Sequence, residues 1–191
     1  MPEPMPSDAT NAIESAFRQI IRAIGDDPDR DGLRGTPARI ARMYAELFSG
    51  VGVDPRRELA VEFDLAHHGL VLLKGVSFSS ICEHHFLPFH GVAHVGYLPA
   101  NGRVVGISKL ARVVAMLSRR PQIQERLTDQ IADAIADVLE PLGVGVVLSA
   151  SHQCVEMRGV EKPGSRVVTS AFRGCFEDPS QRAAFWELLR A

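Results

Sequence analysis

The stretch Ser80-Ile81-Cys82-Glu83-His84-His85-Phe86 places three side chains that can bind a metal within four residues. Thiolate and imidazole are favoured ligands of zinc, and the C-x-x-H spacing of Cys82 and His85 lets both reach one ion from a single tight turn. A second stretch, Ser151-His152-Gln153-Cys154, offers two more ligands of the same types. Together the two stretches predict one shared metal site.

The local structure of the second stretch decides which of its side chains can bind. If residues 144–155 form one strand, His152 and Cys154 leave the same face and reach the same place. Two cysteines and one histidine leave room for a water, as in catalytic zinc sites. The alternative is a closed structural zinc with His84, His90 or His152 as the fourth ligand. Spacing favours the catalytic arrangement and leaves the other open.

Composition restricts the class of protein. The chain has 191 residues, 46% hydrophobic and 23% charged, which is typical of one globular domain with an appendage. A net charge of -2 provides no basic field for nucleic acid. Three cysteines suit a reducing compartment better than a disulfide framework. The start MPEPMPSDAT is unlike a secretory signal, and no apolar stretch approaches a membrane span. We therefore expect a cytoplasmic protein that binds neither nucleic acid nor membrane.

Hydrophobic periodicity predicts an α+β fold. Two amphipathic helices form an N-terminal helical extension over residues 1–50, whose first residues we expect to be disordered. The catalytic domain follows over residues 51–191, and we assign no structure to its segment 50–68. After that segment the expected order is two strands, two helices, two strands and one helix, with the second helix starting at Pro121. This order indicates an antiparallel sheet covered on one face.

A group of polar residues lies between the two metal-binding stretches. In the first of the two middle helices, Ser108, Lys109 and Arg112 share a patch over the first turn. The helix N-terminus adds positive potential there, which favours an anion. Arg158 points to the same region if its strand continues that far. Taken alone, Ser108, Lys109 and Arg112 fit an ordinary solvated helix surface better than an anion site.

These motifs together resemble the GTP cyclohydrolase I family. The resemblance covers residues 12–191 and depends on four stretches in family order: residues 78–85 (FSSICEHH), 106–112 (GISKLAR), 119–127 (RRPQIQERL) and 152–159 (HQCVEMRG). It implies a tunnelling fold, a four-stranded antiparallel sheet with two helices on one face, assembled as a homodecamer of two stacked pentamers. Two departures are Val92, where the family often has lysine, and segment 50–68, which does not align.

The resemblance also implies the reaction and its cofactor. The family converts GTP and water to 7,8-dihydroneopterin triphosphate and formate, the first step of tetrahydrofolate and pterin biosynthesis. It implies that Cys82, His85 and Cys154 bind Zn²⁺. Rival hypotheses are a non-catalytic zinc-stabilised module and another tunnelling-fold enzyme, such as a pterin synthase or nitrile reductase.

The resemblance assigns a role to each remaining candidate residue. His152 is the acid that protonates guanine N7, and His84 and Ser108 serve proton transfers at the sugar carbons. The residues expected to contact GTP are Lys109, Arg112 and Arg158 at the triphosphate, Gln124 at the ribose side, and Glu125 at the guanine edge.

Overall fold

The computed structural model describes residues 5–59, 62–64, 67–100 and 103–191. The chain divides into two compact units between Val51 and Gly52. The disorder predicted for the first residues falls partly on residues 1–4, outside the described ranges, whereas Ser7 already begins a helix. In the described part of the chain, no helix is long and apolar enough to cross a membrane.

The N-terminal unit contains the two predicted helices, α1 (Ser7–Ala23) and α2 (Thr36–Leu47). Proline in the first turn of α2 suits a helix start because its φ angle is already helical. The N–H that proline lacks costs nothing there, since a backbone N–H in the first turn has no partner within the helix. The apolar faces meet through aromatic rings, with Phe17 and Tyr44 edge to face at 5.6 Å between centroids. This confirms the amphipathic pattern read from the sequence.

The larger unit contains the sheet. Its elements in chain order are a 3₁₀ turn at Pro55–Leu59, β1 (Glu62–Asp64), β2 (Val71–Cys82), β3 (Pro88–Leu98), β4 (Arg103–Val105), α3 (Ile107–Ser118), β5 (Pro121–Gln122), α4 (Gln124–Leu139), β6 (Gly143–His152), α5 (Gln153–Glu156), β7 (Val167–Gly174), a 3₁₀ turn at Cys175–Glu177 and α6 (Pro179–Arg190). The α+β class is therefore confirmed.

The main sheet has five strands in the order β5-β2-β3-β6-β7, and β1 pairs separately with β4. Four strands pair antiparallel as predicted. The fifth, β5, is a correction, since it pairs parallel with the end of β2. Its backbone is held there because the Glu83 N–H donates to the Gln122 carbonyl at 3.0 Å. The helix predicted to start at Pro121 consequently starts at Gln124.

The main core lies between one face of the sheet and helices α3 and α4. Alternate residues of β3 and β6 point into it, as the two-residue strand period requires. The helices contribute a regular apolar stripe of fully or almost fully buried residues: Leu110, Val113, Val114, Leu117, Leu127, Ile131 and Ile135. This packing fixes where α4 begins, and hence where its first turn meets the sheet.

The opposite face of the sheet is also covered at one end, which corrects the prediction of a single covered face. Phe185 of α6 is fully buried there and packs with Phe176 and Val147. Glycines face Phe185 on two neighbouring strands, Gly96 on β3 and Gly145 on β6. A strand buried on both faces reads as a continuous apolar run, and this explains the composition of β6.

Candidate metal centre and active site

The first half of the site is a tight turn between β2 and β3. Cys82 is the last residue of β2, and its N–H donates to the Leu87 carbonyl at 2.9 Å. The Phe86 N–H donates back to the Cys82 carbonyl at 2.9 Å, and Phe86 has a left-handed φ of 52°. That conformation is unfavourable for a residue with a Cβ, and such strain is typical of functional turns. The turn presents His84 and His85 to solvent while Cys82 stays buried.

The second half of the site differs from the prediction of one strand over residues 144–155. Strand β6 ends at His152, and Cys154 lies in the single helical turn α5. Side chains of residues i and i+2 on a strand point to the same face of the sheet. On a helical turn the side chains of residues i and i+2 point in different directions. His152 and Cys154 therefore do not point to one ion. The strand also does not reach Arg158, which lies in the exposed segment after α5.

Three side chains nevertheless form one cluster. Ligand atoms of Cys82, His85 and Cys154 all lie within 4.8 Å of one another, and Cys82 Sγ is 4.0 Å from His85 Nδ1. Two thiols and an imidazole are a donor set that suits zinc. Within the described residues the cluster has no fourth histidine, cysteine or carboxylate. The geometry therefore favours the three-ligand arrangement over a closed site completed by His84, His90 or His152.

The charges around the cluster affect its thiols. Burial raises the pKa of the Cys154 thiol above its ordinary value, and the neighbouring Cys82 raises it further. The guanidinium of Arg158 acts in the opposite direction, so this cation lies close enough to influence the cluster. A metal ion binds thiolates and would overcome the effect of burial on the pKa.

His152 lies beside this cluster and is held on two sides. Its Nε2 is 2.8 Å from Gln124 Oε1, and its ring stacks on Phe89 with 4.6 Å between centroids and 4° between planes. Burial lowers the pKa of the imidazole below its ordinary value, and the carboxylates of Glu125 and Glu156 oppose that effect. An imidazole with carboxylates nearby is suited to proton transfer.

Gln124 is a buried residue, only 1% exposed. Its amide nitrogen lies 3.3 Å from the Leu148 carbonyl, 3.0 Å from the Val167 carbonyl and 3.1 Å from Thr169 Oγ1. Sequence reasoning placed it at the substrate and missed these contacts. A signal was available, because Gln124 lies three residues before Leu127 and seven before Ile131 on the buried stripe of α4.

The other predicted residues lie on exposed surface. Glu125, next to Gln124, is exposed in the first turn of α4, and Ser108 is exposed in the first turn of α3. Lys109 is half-buried, and Arg112 is exposed with its Nη1 3.3 Å from the Glu58 carboxylate. Arg112 thus already has an acidic partner, whereas the sequence offered no indication of one.

A link from α4 to the metal-binding turn was not predicted. Arg126 donates to the Glu83 carboxylate and, through Nε, to Gln122 Oε1 at 3.0 Å. The guanidinium holds the pKa of Glu83 below its ordinary value. Since Glu83 lies between Cys82 and His84, this ion pair ties the turn to the start of α4. Glu83 and Arg126 are 43 residues apart, so no local sequence pattern predicts that they form an ion pair.

An α+β unit that gathers two thiols and an imidazole near the half-buried His152 contains a candidate metal centre. Comparison with known proteins gives the family, because residues 13–190 match the model of GTP cyclohydrolase I. GTP cyclohydrolase 1 of Dehalococcoides mccartyi is 56% identical over 181 residues, covering 94% of this chain and 96% of that protein. The chain belongs to the GTP cyclohydrolase I family.

Two further relatives agree. GTP cyclohydrolase 1 of Geobacillus kaustophilus is 52% identical over 188 residues, 98% of this chain and 100% of the relative. That of Bacillus subtilis is 53% identical over 172 residues, 90% of each chain. A solved structure titled archaeosine synthase QueF-Like, in the apo form, has a TM-score of 0.44 at 22% identity, covering 55% of this chain and 93% of that one. That structural likeness is too low to carry an argument about function, so the family assignment depends on the sequence matches.

Proposed function

We propose that the protein converts GTP and water to 7,8-dihydroneopterin triphosphate and formate, the entry step of tetrahydrofolate and pterin biosynthesis. Membership of the GTP cyclohydrolase I family over residues 13–190 supports this reaction. The observation that carries it is the convergence of Cys82, His85 and Cys154 beside His152. A purely structural metal site would have no use for the half-buried His152, two residues from Cys154.

Cys82, His85 and Cys154 are proposed as the ligands of one Zn²⁺. The donor set fits, since two sulfur atoms and one imidazole nitrogen lie within 4.8 Å of one another. When bound, zinc would supply the Lewis acidity that makes water a nucleophile at neutral pH. The protein's part is to hold Cys82 and His85 in a turn fixed by backbone hydrogen bonds and to bring Cys154 of α5 to them.

His152 is proposed as the acid that protonates guanine N7. Protonation there withdraws electrons from C8, the carbon that water attacks when the imidazole ring opens. Burial lowers the pKa of His152, and the carboxylates of Glu125 and Glu156 oppose this lowering in part by favouring the charged imidazole. His84 and Ser108, both exposed near the ends of their elements, are proposed for the later proton transfers at the sugar carbons.

The substrate contacts are proposed from charge and position. The exposed Glu125 carboxylate can accept hydrogen bonds from N1–H and the 2-amino group of guanine, because both groups are donors. Lys109, Arg112 and Arg158 are proposed to bind the triphosphate, with the N-terminus of α3 adding positive potential. The role predicted for Gln124 at the ribose stays a prediction, and its buried contacts favour a position behind His152 instead.

Assembly and location are proposed on other grounds. On its β5 side, strand β2 pairs only at Ile81 and Cys82. Strand β7 pairs with β6 on one side and has no strand on the other among the described residues. Each of the two strands therefore has an unpaired edge in the described part of the sheet. Edges of this kind pair readily with another copy. This supports the tunnelling fold and the homodecamer of two pentamers, with residues 51–191 as the catalytic part. The cysteines at 82, 154 and 175 are all free, which supports a reducing, cytoplasmic location.

The test combines zinc content with product formation. Wild-type protein should bind about one zinc per chain and, given GTP, release formate and a pterin that fluoresces after oxidation. Cys82→Ser and Cys154→Ser should lose most of the zinc and the activity. Cys175→Ser is the matched control, because Cys175 lies outside the cluster. Full zinc content in both cluster variants would overturn the site, and no formate from zinc-loaded wild type would overturn the reaction.

A further inference from the structure

The contacts of Gln124 determine which way its amide points. Two of the groups facing one end of the amide are backbone carbonyls, those of Leu148 at 3.3 Å and Val167 at 3.0 Å. A carbonyl oxygen only accepts hydrogen bonds, so the NH₂ end must face them. Turning the amide around would place its oxygen against two carbonyl oxygens in a buried site, which is strongly unfavourable.

The orientation of Gln124 then sets the proton on His152. With the NH₂ end directed at the carbonyls, Oε1 lies 2.8 Å from His152 Nε2. An amide oxygen accepts and cannot donate, so Nε2 must carry a hydrogen. In the other neutral tautomer two lone pairs would face each other at 2.8 Å, leaving a buried acceptor without a donor. Nδ1 is thus the ring nitrogen that does not face Gln124.

Two neighbours keep this arrangement rigid. Phe89, fully buried, stacks on the imidazole and occupies the position opposite His152 in the β3–β6 register, so the ring cannot tilt toward it. Thr169 Oγ1 lies 3.1 Å from the Gln124 nitrogen and 2.6 Å from Thr128 Oγ1, whose residue follows one turn later on α4. The amide therefore joins β6, β7 and α4 at the point where β6 delivers His152.

We propose that Gln124 is a positioning residue that fixes the orientation of the His152 ring by accepting a hydrogen bond from Nε2–H, so that Nδ1 is the ring nitrogen left to face the substrate. The structural part of this inference depends only on the hydrogen bonds of Gln124. Its catalytic part depends on the proposed function, in which His152 protonates guanine N7. Gln124 itself is buried and acts through His152.

Two variants separate positioning from support of the fold. Gln124→Met keeps a similar side-chain length but removes both the acceptor facing His152 and the donor facing the carbonyls. Thr169→Val is the matched control, since it removes one partner of the same amide and leaves the Gln124–His152 hydrogen bond in place. Zinc content should equal that of wild type in both, because neither residue is in the cluster.

The direct readout is ¹⁵N solid-state NMR of protein labelled at histidine, with the His152 signals identified by their loss in His152→Asn. In wild type at neutral pH we expect a protonated Nε2 and an unprotonated Nδ1, and the same in Thr169→Val. Gln124→Met should show a mixture of tautomers. A wild-type Nδ1–H tautomer, or an unchanged pattern in Gln124→Met, would overturn the proposal. Because the wild-type spectrum is decisive by itself, a variant that fails to fold does not remove the test.

The second readout is the rate of formate release in a single turnover. Loss of a group that orients a catalytic or metal-binding histidine commonly slows reaction about 10- to 100-fold. We expect that slowing in Gln124→Met, with the half-saturating GTP concentration changed less than about twofold, since uniform binding is kept. A changed tautomer with an unchanged formate rate would overturn the catalytic part. If wild type shows the expected tautomer but releases no formate, the proposed function fails and the positioning of His152 stands.

Discussion

The contact between Phe185 and two glycines on the sheet predicts a specific stability defect. Phe185 is 0% exposed and its ring lies edge to face with Phe172 at 5.5 Å. Truncation to alanine removes a buried ring and leaves a cavity in a rigid part of the sheet, which costs about 3–5 kcal/mol. For a chain of this length, about 2–4 °C is lost per kcal/mol, so the melting temperature should fall by roughly 6–20 °C.

The glycine on the facing strand provides a sharper test. A Cβ added at Gly145 would lie 2.7 Å from two ring atoms of Phe185, closer than carbon atoms approach without a shift. Gly145→Ala should therefore cost about 1–3 kcal/mol by overpacking. In a Phe185→Ala background the new methyl group enters vacated space and keeps only a tight contact with Phe172 Cε1 at 3.2 Å, so the same substitution should cost much less. The two changes are thus expected to be strongly coupled.

The measurement is thermal melting of the four proteins in this cycle at one protein concentration, so that any self-association would affect the four melting temperatures alike. Leu188→Ala on the same helix is the control, since Leu188 is 40% exposed and should lose much less. An equal cost of Gly145→Ala in both backgrounds would refute the contact. A Phe185→Ala protein as stable as wild type would refute the covered second face of the sheet.

Three further predictions concern the site and its surroundings. Lys109→Ala and Arg158→Ala should each raise KM for GTP about tenfold or more with less change in kcat, because hydrogen bonds to charged groups contribute about 1.5–3 kcal/mol. An unchanged KM at low salt would show that these cations do not contact the triphosphate. Wild type should prefer GTP over inosine triphosphate over ATP, because inosine triphosphate lacks the 2-amino donor and ATP presents an acceptor at N1 to the Glu125 carboxylate. Glu125→Gln should narrow the GTP-to-ATP ratio of kcat/KM roughly tenfold, because an amide has one acceptor oxygen and no charge; a constant ratio would remove Glu125 from the base pocket. Burial and a neighbouring lysine lower the pKa of His94, whose Nδ1 accepts from the Gly75 N–H at 3.3 Å. As pH falls below about 6.5, His94 therefore binds its proton more readily in the unfolded state than in the folded state, which destabilises the fold. The melting temperature should drop more between pH 7 and pH 5 in wild type than in His94→Gln. Equal drops in the two proteins would contradict this prediction.

Local chemistry determined the ligand types and most elements. The C-x-x-H spacing of Cys82 and His85 needs only a turn, and the structure contains that turn. The start of α6 was equally readable, because Asp178 accepts from the Ser180 N–H at 2.7 Å and Pro179 follows it. Such features depend on residues a few positions apart. The sequence by itself therefore determined the α+β class, the pairing of Cys82 with His85 and the resemblance to the family.

Only the tertiary structure decided where β6 ends. Residues 144–155 are uniformly β-prone, yet a strand continues only while a neighbour can pair with it. His152 pairs with Phe89, near the start of β3, and the preceding Pro88 has no N–H to offer. Beyond His152 only Pro88 of β3 is left, so the backbone makes its next hydrogen bonds in the turn of α5. That change of direction takes Cys154 to the metal cluster and leaves His152 outside it.

The buried role of Gln124 was likewise decided by long-range contacts. Its partners Leu148, Val167 and Thr169 are 24, 43 and 45 residues away in sequence. A polar residue in the first turn of a helix is exposed as often as not, and only the approach of β6 and β7 supplies the groups that make burial tolerable. Composition can name the side chains of a site. Which of them face a substrate and which hold another residue in place depends on pairing partners that the fold alone brings together.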